Sequence, residues 1–433
     1  MPDILDAHSG VFFTSLKSRD GNAVRSAESE KYYFLFCFYI FILHLCPVLG
    51  LLNLLPGGKP AYIVDVATLL PILLTLYYWR YSAMNMTVSY LDVAVATYLI
   101  ISIASILLYL QPNNPSDFRA YFYGIHHFVL PIFLYYAVKI FDSGQQYRLL
   151  KFTCFLNVAA ILIGILLFYW RPDFYRAHLI AEFEAAGYSL EEWQVFGRMQ
   201  SYFGSTALGS VIASTIILLT VLNFPKRLVA IFIPIMLLGV FLTFQRGGFI
   251  AASIAILYTF IKFRGAPLFK YFSLPSITLL MLAAGFAYFI QLEESGLSRL
   301  LDKYSVESLY ESFDFERRGY GPGLSYLVDF PMGVGLGATS SVADAMGLAA
   351  RGQVVDANYM RIMADLGIGG LLSFIAVLWA AACAALKRAN GVGWFLLFGL
   401  IAAICIGTNT LDSYYISHLF WLFLGVIDTK SST

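Results

Sequence analysis

Charge is scarce in this chain. Of 433 residues only 13% are Asp, Glu, Lys or Arg, about half the share in a soluble domain of ordinary composition. A water-soluble globule of this size is therefore excluded. The formal net charge is +1, so no basic surface argues for nucleic acid. Cysteine is equally sparse. Cys37, Cys46, Cys154, Cys383 and Cys405 all fall inside apolar runs, which argues against a disulfide framework and against a cysteine metal site. The alternating short strands of an outer-membrane barrel are missing. The polar first 31 residues lack the basic-then-apolar pattern of a cleaved leader and read as a short tail. No P-loop, G-x-G-x-x-G, H-E-x-x-H or G-x-S-x-G is present, so the signatures of nucleotide hydrolysis and metalloprotease chemistry are lacking. If the chain is an enzyme, an activated, lipid-borne substrate is expected.

What the chain does have is apolar length. Its composition is 59% hydrophobic, in runs of about 20 residues, each enough to cross a hydrocarbon core of about 30 Å. The predicted fold class is an all-α polytopic membrane protein of about 12 transmembrane helices. Spans are expected near 32–55, 61–79, 89–110, 121–140, 150–170, 203–222, 228–245, 248–262, 272–291, 367–386, 392–409 and 413–428. The organisation is then a cytoplasmic tail (1–31), spans 1–9 (32–291), a large extracytoplasmic loop (292–366), and spans 10–12 with a short tail (367–433).

An even number of spans puts both termini on one side. Lys and Arg are more numerous there: 16 of the 28 lie on the terminal side and six in the shorter loops opposite, with six more in the long loop. Positive residues mark the cytoplasmic side, so the long loop, the loop 171–202 and the turn at Arg246 are expected to face outward. Arginine dominates those outer loops and lysine is nearly absent. Arginine grips carboxylate and phosphate with a fixed fork.

The long loop carries the most informative stretch, from Arg317 to Leu372. It reads R-R-G-Y-G-P-G-L-S-Y-L-V-D-F-P-M-G-V-G-L-G, then D-A-N-Y-M-R-I-M-A-D-L-G-I-G-G-L-L. Leu297, Leu300, Leu301 and Tyr304 share one helical face, and a further helix is expected from about Tyr326 to Phe330, stopped by Pro331. The glycines of G-V-G-L-G permit positive φ or a close backbone approach.

Candidate chemistry sits at the outer surface. Arg246, in F-Q-R-G-G, lies roughly 28 Å along a helix from Arg227, at the opposite interface. Two glycines follow it, leaving room for a ligand or a neighbouring backbone. Arg198 lies where a loop re-enters the membrane, and Arg317 and Arg318 open the second half of the long loop. Together these arginines could hold an anion, although each alone could equally snorkel to the interface. Asp356, in D-A-N-Y, could act as a base, orient an arginine, or cap the helix that starts near Asn358. His126 and His127, inside the fourth span, are intramembrane ionisable groups or hydrogen-bond partners between helices. Asp65 and Asp92, near span starts, invite the same two readings. His178, with Glu182 and Glu184, has no specific metal spacing.

The R-G-G turn, the R…G…P-x-G-x-G-x-G stretch, the D-x-N-Y segment, Asp365 and G-I-x-G follow one another in an order that resembles the O-antigen polymerase and O-antigen ligase superfamily. The resemblance covers residues 195–375 at motif level. It implies a metal-independent, cofactor-free glycosyltransferase on the outer face of the bacterial inner membrane, acting on oligosaccharide carried by undecaprenyl pyrophosphate, with a chain-length-regulating co-polymerase as a partner. Carried over, Arg198, Arg246, Arg317 and Arg318 would bind the pyrophosphate leaving group. Asp356, with Asn358 and Tyr359, would lie on the acceptor side. The ligase branch has His-Asn where this chain has Ala357-Asn358, and the long loop holds no histidine. The polymerase branch of O-antigen and exopolysaccharide synthesis is therefore favoured, with the ligase, a transporter or flippase, and a non-catalytic scaffold as the other readings.

Overall fold

The computed structural model describes residues 30–45, 48, 61–82, 88–111, 116–170, 172–175, 177, 205–243, 245–263, 320–340, 343, 347–350, 355 and 357–429. Among them there is no strand. In hydrocarbon, backbone N–H and C=O groups have no water to bond, and a helix satisfies them within one segment.

The helices are α1 (30–45), α2 (Ala61–Ser82), α3 (Tyr90–Tyr109), α4 (Phe118–Val138), α5 (Ser143–Trp170), α6 (Ser205–Val221), α7 (Lys226–Thr243), α8 (Arg246–Lys262), α9 (Tyr320–Asp329), α10 (Asn358–Leu386), α11 (Gly391–Ile404) and α12 (Tyr414–Asp428). Five of them, α3, α4, α5, α7 and α10, are long and apolar enough to cross a membrane, and α2, α6, α8, α11 and α12 contain shorter apolar helix. The chain is a helical membrane protein. The predicted ninth span and the helix expected around Leu297 lie outside the described residues.

Two helices form the interior. Residues 415–427 of α12 are buried all round, and so are residues 208–221 of α6. A helix that is apolar on every side belongs in such a core. Around them, α3, α8 and α10 turn Val93, Ile100, Leu107, Ile250, Leu257, Leu372 and Trp379 outward. So much exposed apolar surface suits lipid and not water.

Local chemistry sets the helix ends. Ser89 and Asp92 form a reciprocal capping box at the start of α3, with bonds of 2.9 and 3.0 Å. Asp117 caps α4 through the Arg119 N–H at 2.8 Å. Inside α4, Pro131 lacks an N–H and its ring crowds the carbonyl one turn back. The helix widens into a π-turn over Ile125–Val129 and tightens over Leu130–Ile132 before resuming.

At one end of the bundle the charges tie helices together. Lys139 Nζ lies 2.6 Å from Asp92 and 2.5 Å from Asp428, Ser89 donates to Asp428 at 2.8 Å, and Arg388 donates to the Thr429 carbonyl at 2.9 Å. Arg148 pairs with Glu30, and Lys262 bonds Asn390. Lys139, Arg148, Lys262 and Arg388 all belong to the set that the charge pattern assigned to the terminal side.

Two predicted boundaries move. The helix expected over Tyr326 to Phe330 begins at Tyr320, with Pro322 in its first turn, where a missing N–H costs little. The tenth span, expected to start at 367, is continuous with the helix expected from near Asn358, so that one helix runs from Asn358 to Leu386. Arg361 and Asp365 fall in the segment assigned to the long loop, but both are buried and engaged inside the protein. Gly367, with φ of 69°, bends the helix where the boundary had been drawn.

Candidate functional site

The end of the bundle opposite Lys139 is built around three segments: the glycine stretch 331–340, the start of α10, and the turn between α11 and α12. The glycine stretch takes both of the possibilities its sequence allows. Gly333, Gly335 and Gly337 have φ of 91°, 108° and 86°. Gly337 also sits where a side chain would lie 2.7 Å from the Ala120 carbonyl oxygen. The stretch is not an open phosphate cradle, because Asp365 fills it. One carboxylate oxygen accepts from Gly337 N–H at 2.9 Å, and the other accepts from Thr339 N–H at 3.0 Å and Thr339 Oγ1–H at 2.8 Å. Val334 and Gly335 donate to the carbonyls of Ala364 and Asp365. Tyr109 anchors the far side by donating to the Leu336 carbonyl at 2.8 Å. The acidic residue of the D-L-G-I-G-G segment thus folds the glycine stretch onto α10.

One turn nearer the start of α10, Arg361 is 2% exposed. Its Nη1 lies 2.5 Å from Asp412 Oδ1, and its guanidinium lies over the Phe128 ring with Cζ 3.6 Å from the centroid. Asn358 completes the arrangement. Its N–H bonds the Cys405 carbonyl at 3.1 Å, its Oδ1 accepts from Leu411 N–H at 3.0 Å, and its Nδ2 reaches Asp412 Oδ1 at 3.4 Å. Asn358, Arg361 and Asp365 therefore form a polar face at spacing i, i+3, i+7 on a helix embedded in apolar neighbours. Tyr359 donates to the Ala402 carbonyl at 2.9 Å, tying α10 to α11.

The R-G-G turn joins the same end. α7 stops at Thr243 and α8 opens at Arg246, as the sequence led one to expect. The two glycines divide their work. A side chain on Gly248 would lie 2.8 Å from Gly209 Cα, whereas one on Gly247 would meet only Ile404 at 3.6 Å. Gly209 closes the G-R-M-Q-S-Y-F-G-S-T-A-L-G segment, so the two arginine-bearing motifs touch through glycine backbone. Ile404 precedes Cys405, whose carbonyl holds Asn358. The starts of α8 and α10 thus flank one end of α11.

His126 and His127 lie in the π-turn of α4, beside Phe128. Their rings are 4.8 Å apart, and His126 lies 4.8 Å from Tyr414. The Tyr414 ring lies 4.0 Å from that of His418, tilted by 46°, and His418 Nδ1 faces the Tyr414 carbonyl at 2.6 Å. The imidazoles are thus packed among aromatic rings of α12. No group of His, Cys, Asp or Glu among the described residues could hold a metal ion. Asp92, the other intramembrane acid of interest, belongs to the Lys139 cluster at the opposite end.

Asp356, Arg198, Arg317, Arg318, His178, Glu182 and Glu184 lie outside the described residues, as do the side chains of Asp65 and Arg246. The residue in the N-cap position of α10 is Ala357, which offers no side-chain bond; Asp356, offered as one possible cap of this helix, lies one position earlier. Sequence reasoning missed Arg361 and Asp412. The signal was there in the i, i+3, i+7 spacing of Asn358, Arg361 and Asp365, which becomes visible once the helix is started at 358. Asp412, in a three-residue turn, gave none.

No protein-family model matches this chain, and no curated protein matches it either.

Proposed function

We propose that this protein is a polysaccharide polymerase of the inner membrane. Twelve spans place both termini in the cytoplasm and the long loop outside. The enzyme joins oligosaccharide repeat units carried on undecaprenyl pyrophosphate. The acceptor hydroxyl attacks the anomeric carbon of the donor glycan as the bond from that carbon to the pyrophosphate oxygen breaks. The electron pair leaves on the pyrophosphate, and the hydroxyl proton passes to a base, for which Asp356 is the candidate. Arg246, with Arg198, Arg317 and Arg318, neutralises the departing charge, the task that oriented cations perform in such displacements. Asn358 and Tyr359 hold the acceptor side of α10 in place.

The observation that supports this reading is the position of Arg246. It opens α8 at the polar end of an apolar bundle, against the turn that also holds the start of α10. An arginine there would meet a lipid-anchored anion at headgroup depth.

The test uses membranes from a null strain carrying the protein, supplied with undecaprenyl-pyrophosphate-linked repeat units, chelator and no nucleotide. Wild type is expected to give a glycan ladder that Arg246→Ala abolishes. Intact lipid-linked unit and no ladder from wild type would sink the polymerase reading. Polymer left on its carrier in a deletion strain would instead identify a ligase.

A further inference from the structure

We propose that Arg361 is a binding residue for a pyrophosphate or phosphate group, held in position by Asp412. The polymerase reading supplies the identity of the lipid that would carry this group; the oxyanion site itself rests on the geometry below.

Arg361 is almost wholly buried, yet its Nε makes no hydrogen bond and its Nη1 meets Asp412 only as an ion pair. A buried donor without an acceptor is costly, and an acceptor from outside the chain would remove that cost. Asp365, four residues on, is committed to the three donors of Gly337 and Thr339. Among the described residues, Asp412 is the ion-pair partner of Arg361.

The pair is not alone in closing the fold here. Asn358 already holds the turn at Leu411 and the end of α11 at Cys405. Buried ion pairs can commonly be replaced by apolar residues without loss of stability. Phe128 lies against the guanidinium, with Cζ 3.6 Å from the ring centroid, and a guanidinium recognises phosphate through its N–H fork.

The backbone adds to this. α8 and α10 both begin here, and the side chain of neither N-cap residue, Gln245 or Ala357, caps its helix. Each helix start carries partial positive charge and favours an anion. Gly247 against Ile404, and Asn358 N–H on the Cys405 carbonyl, bring the two starts to the same end of α11. A buried, incompletely bonded guanidinium in the first turn of α10, at the end of the bundle where α8 also begins, suits a multivalent oxyanion.

The experiment titrates the full-length protein in nanodiscs with polyprenyl pyrophosphate and, separately, with inorganic pyrophosphate. Two variants are compared with wild type: Arg361→Lys, and the double variant Arg361→Gln with Asp412→Asn. The double variant removes both charges together, so it avoids stranding one of them. It is expected to melt as wild type does while binding the lipid at least about tenfold more weakly. Arg361→Lys is also expected to weaken binding, because an ammonium cannot form the fork. Equal binding by wild type and the double variant would overturn the proposal and leave the polymerase reading to rest on Arg246. Arg361-dependent binding of inorganic pyrophosphate as tight as that of the lipid would keep the oxyanion site and assign it to a free anion. No binding of either probe by wild type would overturn the site and the polymerase reading together.

Discussion

Arg361 Nη1 and Asp412 Oδ1 meet at 2.5 Å, with side chains only 2% and 6% exposed. The pair joins the first turn of α10 to the short segment before α12, and Asn358 binds the same carboxylate oxygen from the side. Removing one member strands a buried charge. Asp412→Ala is expected to cost about 3–5 kcal/mol, read as a lower unfolding midpoint in detergent. Arg361→Met combined with Asp412→Leu should recover most of that loss. A double variant no more stable than Asp412→Ala would refute this account.

Asp365 gathers three donors from the glycine stretch. Asp365→Ala leaves them without an acceptor, at about 1–3 kcal/mol for each buried group. The expected result is faster amide exchange across residues 333–340, with α12 unaffected. Asp365→Asn, which keeps an acceptor oxygen, should fall between the variant and wild type. Unchanged exchange in Asp365→Ala would show that the stretch holds its shape without the carboxylate.

The two glycines after Arg246 should respond differently to one methyl group. Gly248→Ala pushes a Cβ to within 2.8 Å of Gly209 Cα, and neither backbone can yield cheaply. A loss of about 1–3 kcal/mol is expected, as for overpacking in a tight core. Gly247→Ala reaches only ordinary contact with Ile404 at 3.6 Å and should fold as wild type does. Thermal melts of the two single variants, side by side, decide the matter; equal loss in both would contradict the packing described.

Lys139 stands between Asp92 and Asp428, and Tyr135 Oη lies 2.9 and 2.6 Å from the same two carboxylates. Lys139→Met leaves two acids facing each other without their cation, so a marked fall in stability is expected. Adding Asp92→Asn should restore part of it by removing one of the repelling charges. If the second substitution lowers stability further, the three groups do not act as a unit.

The two ends should also differ in the side they face. In a cysteine-free background, Asn390→Cys is expected to react with an impermeant maleimide only in inside-out vesicles, and Thr408→Cys only in intact spheroplasts. The reverse labelling pattern would invert the proposed topology.

Much of the architecture was legible in the chain. Helices overlie eleven of the twelve predicted segments, because apolar length is a local property that needs no partner to be recognised. The R-G-G turn was legible for the same reason: two apolar runs meet there with almost nothing between them. The burial of the first two turns of α10 was not, although a helix start near Asn358 was expected. Arg361 and Asp365 are ionisable, and a charge reads as exposed until its partner is known. Their partners, Asp412 and the N–H groups of Gly337 and Thr339, lie far away in the chain or carry no side-chain signal.

The sequence by itself determined the class of molecule, where most of its apolar helices lie, and that Lys139, Arg148, Lys262 and Arg388 share an end. Hydropathy and charge act residue by residue, so composition and order suffice for these. Only the tertiary structure decided that α6 and α12 form the interior, that Asp365 fills the glycine stretch, and that Arg361 is buried against Asp412. Those outcomes depend on which apolar faces pack together and on where each buried polar group finds its partner, and both are settled by contacts between segments distant along the chain.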